Sequence, residues 1–231
     1  MHLATETGSC TLIMAKVLRR GLVEPSTVSK RDLPDYMGDT YRGYMTAIKQ
    51  RMAVVRDNED IDFGFVEINK EFFALQLRMI FELVAFAVIT FHQREIPLAK
   101  SRRTINGALD ALKLIPNYSW IISIDHDFDI ENAGASIDFP TRKTDFTDKD
   151  FFKKVHGRLG DLLHEQQRPR PTNEHKYSIQ KLLEFRDSLS STLTKHMIID
   201  SSGAGWYVNL NCPKQPNGVM IMKLRSEEKP A

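Results

Sequence analysis

Residues 69–95 read NKEFFALQLRMIFELVAFAVITFHQRE, and this stretch decides how the rest of the chain must fold. Between Phe72 and Phe91 it carries only two charged side chains, Arg78 and Glu82. A helix that is apolar on nearly all sides is typical of a buried central helix. We therefore expect the remaining elements to wrap around it.

Arg78 and Glu82 are costly inside such a helix unless they are paired and hydrogen-bonded. Because they lie four residues apart, they share one face of the helix. The sequence leaves two alternatives open. Either the two side chains form one internal ion pair, or they face a cavity that another part of the molecule completes.

The bulk composition is that of an ordinary globular protein. The 231 residues are enough for one large domain, or for one domain with an appended piece. Hydrophobic residues make up 42% and charged residues 27%, and the formal net charge of +2 gives no global signal for a polyanionic partner. Cys10 and Cys212 lie far apart and match no metal-binding spacing, which favours a reducing compartment without a disulfide framework.

Neither a signal peptide nor a membrane span is predicted. The short apolar segment Leu12–Leu18 is followed by Arg19 and Arg20, which is the wrong polarity for a signal peptide. The run Met79–Phe91 contains Glu82 and is thirteen residues long, whereas a span needs about 20 apolar residues. We expect a cytoplasmic protein that does not bind a membrane.

Helical spacing of apolar residues recurs on both sides of the central helix, and alternating residues occur in two other regions. A Thr147/Asp150 capping-box pattern marks the start of one helix. The predicted helices are Asp39–Arg56, one opening at Ser101 or Arg102, Thr147–His164 and Tyr177–His196, and the predicted hairpins lie in Ser119–Phe139 and in residues 206–224.

These elements predict a mainly α fold, a helical bundle with two small β-hairpin additions. An alternative is that the strands of the hairpins pair with each other as a small sheet on one side. Residues 1–35 are predicted to be a loosely ordered arm, residues 36–200 the bundle domain, and residues 201–231 a C-terminal hairpin and tail that pack on the bundle.

One acidic segment is a candidate metal site. Asp125, Asp127, Asp129 and Glu131 alternate with other residues, so on a strand all four would point to one side. The segment fails the calcium-loop pattern because Ile130 stands where glycine is required. A solvated acidic strand is the main interpretation, and a divalent-metal site is an outlying alternative.

No cofactor or metal is predicted. His156 and His164 lie on one helix, but no third ligand is spaced to complete a zinc site with them. The chain also has no glycine-rich phosphate loop, no Walker lysine and no Gly-x-Ser-x-Gly elbow.

A family resemblance rests on two helices. One carries the Arg78-x-x-x-Glu82 step, and the other runs from Gly157 to His164 and is followed by the Arg168-Pro-Arg170-Pro loop. This combination resembles the HEPN-like helical proteins of prokaryotic toxin, abortive-infection and other conflict systems, over about residues 39–196. The resemblance implies an all-helical bundle and, in many members, a metal-independent ribonuclease site that usually forms across a homodimer.

The resemblance also implies roles for particular residues. Arg158 and His164 would be the catalytic pair: His164 as the general acid or base, Arg158 as the group that stabilises the charged transition state. Because six positions turn a regular helix by about 240°, their side chains point about 120° apart. The remaining candidates are Arg168, Arg170, Arg102 and Arg103 for RNA binding, and Arg78, Glu82 and Asp161 for support.

Two functional hypotheses follow. The first is a ribonuclease or toxin of a defence system, favoured by Arg158, His164 and the arginine-containing loop. The second is a non-catalytic binding or regulatory protein that acts through protein–protein contacts, favoured by the apolar Leu159 after Arg158 and by the near-neutral charge. In either case we expect the Arg78/Glu82 face to pack against the Gly157–His164 helix near His164, where Gly157 and Gly160 permit close approach.

Overall fold

A computed structural model describes residues 13–14, 35–93, 96, 105–113, 115, 119–128, 130, 139–164, 177–212, 214–215 and 218–225. Five α-helices occur in this part of the chain. They are α1 (Asp35–Asp57), α2 (Val66–Phe91), α3 (Ile105–Leu112), α4 (Lys149–Leu163) and α5 (Ile179–Thr194).

The central helix is confirmed. Helix α2 spans 26 residues, and α1, α3, α4 and α5 all pack against it. It is the one helix in the described residues that is long and apolar enough to cross a membrane, but 56% of its most apolar 18-residue window is buried inside the protein. The same length and composition are typical of a core helix, which is the position that α2 occupies.

The mainly α prediction is wrong, because the strands form one sheet beside the helices and the fold is mixed α/β. The sheet has six strands in the order β1-β6-β5-β4-β2-β3, and all neighbours are antiparallel except β1 and β6. The strands are β1 (Ile13–Met14), β2 (Ile122–Ile124), β3 (Thr141–Arg142), β4 (Lys195–Ile199), β5 (Gly205–Asn209) and β6 (Met220–Arg225).

Strand β4 is the reason for the difference. The sequence assigned its first residues to the last helix, whereas α5 ends at Thr194 and β4 begins at once. Strand β4 then pairs with β5 on one side and with β2 on the other. Strand β2, from the first predicted hairpin, and strands β5 and β6, from the second, are therefore parts of a single sheet. On its other side β2 pairs with β3, which begins after Phe139 and so lies outside the predicted hairpin.

Two local predictions also need correction. Helix α4 is capped by Asp148, whose carboxylate accepts hydrogen bonds from the main-chain N–H of Asp150 and Phe151, rather than by Thr147. Thr147 closes a preceding 3-10 helix, Asp145–Thr147. The prediction of an acidic strand is wrong for the residues that the structure describes. Strand β2 ends at Ile124, and Asp125–Asp127 belong to a turn.

The sheet is covered on both faces. Trp206 and Val208 of β5 belong to the main core with the helices, whereas Tyr207 packs with Phe139 and Met197 in a smaller cluster on the other face. Trp206 meets Phe91 edge-on, with ring centroids 4.9 Å apart. The indole ring thus joins the end of α2 to the centre of the sheet.

A buried polar pair joins α1 to β4. The Tyr41 hydroxyl lies 2.9 Å from His196 Nε2, and His196 Nδ1 donates to the carbonyl of Leu193 at 2.8 Å. Because that carbonyl can only accept, Nδ1 carries the proton and Nε2 accepts from Tyr41. Both residues are fully buried, and burial lowers the pKa of His196 to about 4.

We expect acid to destabilise the protein through His196. Between pH 6.5 and about 4 the unfolded chain binds a proton at this imidazole while the folded chain does not, so the free energy of unfolding falls as pH falls through that window. The free energy of unfolding should fall by about 3 kcal/mol between pH 7 and pH 4, and urea unfolding at each pH measures this change. The His196→Asn variant should show a smaller loss, and an equal loss in both proteins would contradict the assignment.

Candidate functional site at the contact between helices α2 and α4

Arg78 and Glu82 form an ion pair along α2. Arg78 Nε lies 3.3 Å from Glu82 Oε1, and the two side chains are 29% and 38% exposed. The first of the two alternatives, an internal pair, is therefore the arrangement in the structure. At this exposure the pair contributes less than a fully buried one, because water screens it.

His156 of α4 joins this pair. Its Nε2 lies 3.6 Å from Glu82 Oε1, and its side chain is only 9% exposed. Among the described residues this buried Nε2 has no hydrogen-bond partner, since 3.6 Å is beyond hydrogen-bond distance. Burial first, and the nearby Arg78 second, hold the pKa of His156 below its usual value, while Glu82 offsets part of the lowering. The imidazole is therefore neutral at pH 7.

The expected packing of the Arg78/Glu82 face on the Gly157–His164 helix is confirmed, but its position differs. A Cβ at Gly160 would lie 3.2 Å from Arg78 Nη1, so the guanidinium occupies the space left by that glycine. Gly157 is exposed, with nothing within 4 Å of a Cβ built there. The contacts lie at Gly160 and one turn earlier at His156, rather than at His164.

Arg158 and His164 lie elsewhere on α4. Both are exposed, and Arg158 Nη1 donates to the Tyr177 hydroxyl at 3.3 Å. His164 caps the C-terminal end of the helix, and its main-chain N–H binds the carbonyls of Gly160 and Asp161. Since α4 is regular up to Leu163, the Arg158 and His164 side chains point about 120° apart and are separated by about 9 Å along the axis.

Among the remaining predicted residues, Asp161 is the one that lies in the described part of the chain. Asp161 is exposed on α4, and Leu159, which follows Arg158, is fully buried in the core. Arg102, Arg103, Arg168 and Arg170 lie outside the described residues. The structure thus brings together Arg78, Glu82 and His156, and it does not bring Arg158 and His164 together within one chain.

Sequence reasoning missed a second polar cluster at the end of α5. Ser191 Oγ lies 3.2 Å from His126 Nε2, and Arg142 Nη2 lies 2.7 Å from the same Oγ. A serine beside a neutral imidazole has the geometry of a nucleophile and a base. However, Arg142 also donates to the main-chain carbonyl of Ser191 at 2.7 Å, so we assign the cluster to closing the last turn of α5.

No local motif could have revealed that cluster, because its three members come from a turn, a strand and a helix. The pKa of His126 is lowered first by burial and then by the positive charges of Arg142 and Lys195. Among the described residues, no group of three or more His, Cys, Asp or Glu side chains could hold a metal ion.

Comparison of the chain with protein-family models, with curated proteins and with solved structures finds no match. The resemblance to HEPN-like proteins therefore stays a prediction, and the all-helical bundle that it implied is contradicted by the sheet. The function has to be argued from the residues of this chain alone.

We expect Glu82→Leu to destabilise the protein by about 1–2 kcal/mol, because it leaves Arg78 and the buried His156 facing each other without a carboxylate. Chemical unfolding followed by circular dichroism measures the change. Glu184→Leu is the matched control: Glu184 pairs with Lys181 at 2.8 Å on the surface, and its loss should cost less than about 0.5 kcal/mol. Equal stability of the Glu82→Leu and wild-type proteins would show that the carboxylate supports nothing.

Proposed function

We propose that the protein is a binding protein that acts through protein–protein contacts, beginning with a homodimer formed by the outer face of α2. The observation that carries this proposal is an apolar stripe that the rest of the described chain covers only in part. We call it the outer stripe, and it consists of Ile68, Phe72, Leu75, Met79, Leu83 and Phe86.

The outer stripe is accessible along its whole length. Ile68 and Leu75 are each 45% exposed, and the other four members are partly exposed. Helix α1 borders one side, where Arg51 donates to Gln76 at 2.9 Å, and α4 borders the other side at Arg78 and Glu82. A continuous apolar surface of this kind is typical of an interaction site.

The order of residues in the stripe supports a second copy as the partner. The steps from Ile68 to Phe86 are 4, 3, 4, 4 and 3 residues, and a final step of 4 reaches Thr90, so the spacing is symmetric about Met79. A two-fold axis at Met79 would place Phe72 of one copy against Phe86 of the other, and Leu75 against Leu83. Such an isologous interface requires a surface that complements itself, as this one does.

The charges beside the stripe are compatible with the same two-fold. Around an axis at Met79, Glu82 of one copy would come within about 3 Å, along the helix axis, of Arg78 of the other. The charges of the two Arg78 and two Glu82 side chains in such a dimer sum to zero. A dimer would therefore not bury net charge at this edge.

We expect Leu75→Glu to convert a wild-type dimer into a monomer, because it places a charge in the centre of the apolar contact. Light scattering after gel filtration gives the molar mass, and circular dichroism checks that the fold is kept. Tyr36→Glu is the control, since Tyr36 is 60% exposed on α1 and lies outside the stripe. A wild-type protein that stays monomeric at high concentration would refute the dimer.

Metal-independent cleavage of RNA is the second candidate, and the exposure of both Arg158 and His164 favours it. The two are too far apart within one α4, but α4 borders the outer stripe, so a dimer through that stripe would bring two copies of α4 to one interface. One copy could then supply Arg158 and the other His164. His164 would accept the proton of the 2′-hydroxyl as that oxygen attacks the phosphorus and the bond from phosphorus to the 5′-oxygen breaks, with the leaving oxygen protonated by water. Arg158 would stabilise the negative charge of the transition state.

This activity is the one that the HEPN-like resemblance implies, with a role in prokaryotic defence in the cytoplasm. Two observations count against it. Leu159 is buried in the core, and Arg158 donates to the Tyr177 hydroxyl, so both residues of this helical turn make contacts within the chain. For that reason the binding function is the first proposal and cleavage the second.

If the second candidate is right, the wild-type protein cuts total RNA in the presence of a chelator, and Arg158→Ala and His164→Ala each reduce the rate by about a hundredfold or more. Gel electrophoresis of the RNA and growth of expressing cells give the readouts. Asp150→Asn, in the first turn of α4, should leave the rate unchanged. A wild-type protein that cuts no RNA and does not slow growth would remove this candidate.

A further inference from the structure

The connection between α1 and α2 has a charge unlike that of the whole chain. Residues 57–67 read DNEDIDFGFVE, with five acids and no basic residue, whereas the chain has a formal net charge of +2. We call this segment the acidic tip. It also carries three exposed apolar side chains, of Phe63, Phe65 and Val66, which are 43%, 68% and 56% exposed.

The acidic tip is held in one conformation by a buried amide. Asn69 is 8% exposed, and its Oδ1 accepts a hydrogen bond from the main-chain N–H of Phe63 at 2.9 Å. Its Nδ2 donates to Asp62 Oδ1 at 3.3 Å, and the same carboxylate accepts from Gly64 N–H at 2.8 Å. These bonds hold the pKa of Asp62 below its usual value.

Gly64 makes this turn possible, because its φ of 79° lies in the left-handed region that favours glycine. Phe63 rests on Phe72, with ring centroids 5.7 Å apart, while Phe65 points away from the core as the most exposed large apolar side chain in the described residues. An ordered loop that displays aromatic rings loses little conformational freedom when a partner covers it.

The ion pairs of the tip leave an excess of negative charge. Arg56 pairs with Asp57, and Lys70 pairs with Glu67. Arg186 of α5 pairs with Glu59. Asp60 and Asp62 have no cationic partner among the described residues, so the tip combines an exposed aromatic surface with uncompensated carboxylates.

We propose that the acidic tip binds a segment of a partner protein that is both basic and apolar. The charge decides among the candidate occupants. The carboxylates would repel nucleic acid and anionic membranes. They would also repel a second acidic tip, because it carries the same negative charge. A cationic segment with apolar side chains would satisfy the acids and cover Phe63 and Phe65 together.

This inference names a partner class for the proposed binding function, but it does not depend on the homodimer, whose proposed axis lies at Met79, beyond the contact between Phe63 and Phe72. The probe is a fluorescent synthetic peptide of leucine and lysine that forms an amphipathic helix, with a matched peptide of leucine and glutamate as its control. Fluorescence anisotropy of the full chain measures the affinity for each peptide at low and at physiological salt.

We expect the lysine peptide to bind and the glutamate peptide not to bind. The double substitution Phe63→Ser/Phe65→Ser should weaken binding by about tenfold or more, because buried aromatic anchors dominate such contacts. Gly64→Ala keeps both rings but strains the turn, and we expect a loss of several-fold. Tyr36→Ser, at the opposite end of α1, should bind as the wild type does.

Unchanged affinity of the Phe63→Ser/Phe65→Ser protein would overturn the proposal, as would equal binding of the glutamate peptide, of anionic vesicles or of an RNA oligonucleotide. Leu75→Glu separates the two proposals, since it should abolish the dimer and leave peptide binding intact. Phe65→Ser alone leaves Phe63 on Phe72, so it should weaken peptide binding and keep the dimer. Loss of the dimer in Phe65→Ser would place the tip against a second copy and overturn the basic partner.

Discussion

The structure depends on covering one helix. Twelve of the 26 residues of α2 are buried, and leaving a large apolar side chain in water instead of burying it costs about 1.5–3 kcal/mol. Helices α1, α3, α4 and α5 each cover part of it, and the sheet meets its C-terminal end through Trp206 and Phe91. The positions of the other elements follow from where α2 needs cover.

Polar contacts between side chains join neighbouring elements of the fold at three places. Tyr41 and His196 join α1 to β4, and Arg142 and Ser191 join β3 to the end of α5. Glu82 and His156 face each other where α4 meets α2. At the first place both side chains have a hydrogen-bond partner. In the described residues the second leaves Arg142 Nε without a partner, and the third leaves His156 Nε2 without one.

The sequence predicted most of the helical body, because apolar spacing over three or more turns is a strong signal. It failed at β4, because the predicted helix ran on to His196 and so included Lys195 and His196, the first two residues of that strand. Only pairing with β5 and β2 makes these residues extended, and such pairing between distant segments is invisible to local patterns. The single sheet was lost with that one element.

The polar contact between α2 and α4 was predicted in kind but not in position. Both His156 and His164 lie on the predicted helix, eight residues apart, which rotates one by about 80° relative to the other. Which of them faces α2 depends on how α4 is turned. That orientation is set by Phe152, Val155 and Leu159, which are buried in the core. The charged pair could be found from the sequence because it interrupts an apolar run, whereas its histidine partner required the packed structure.

The location of Arg78 and Glu82 bears on what can cover the outer stripe. They lie between α4 and that stripe and retain 29% and 38% exposure, so any partner seated there would remove their remaining water. Removing water from a charged pair costs free energy unless new partners replace it. An uncharged partner surface would incur that cost, while a second copy arranged around Met79 brings its own Arg78 and Glu82 to the same edge. The ion pair therefore favours the two-fold arrangement over other apolar partners. It affects which partner binds rather than how tightly that partner binds.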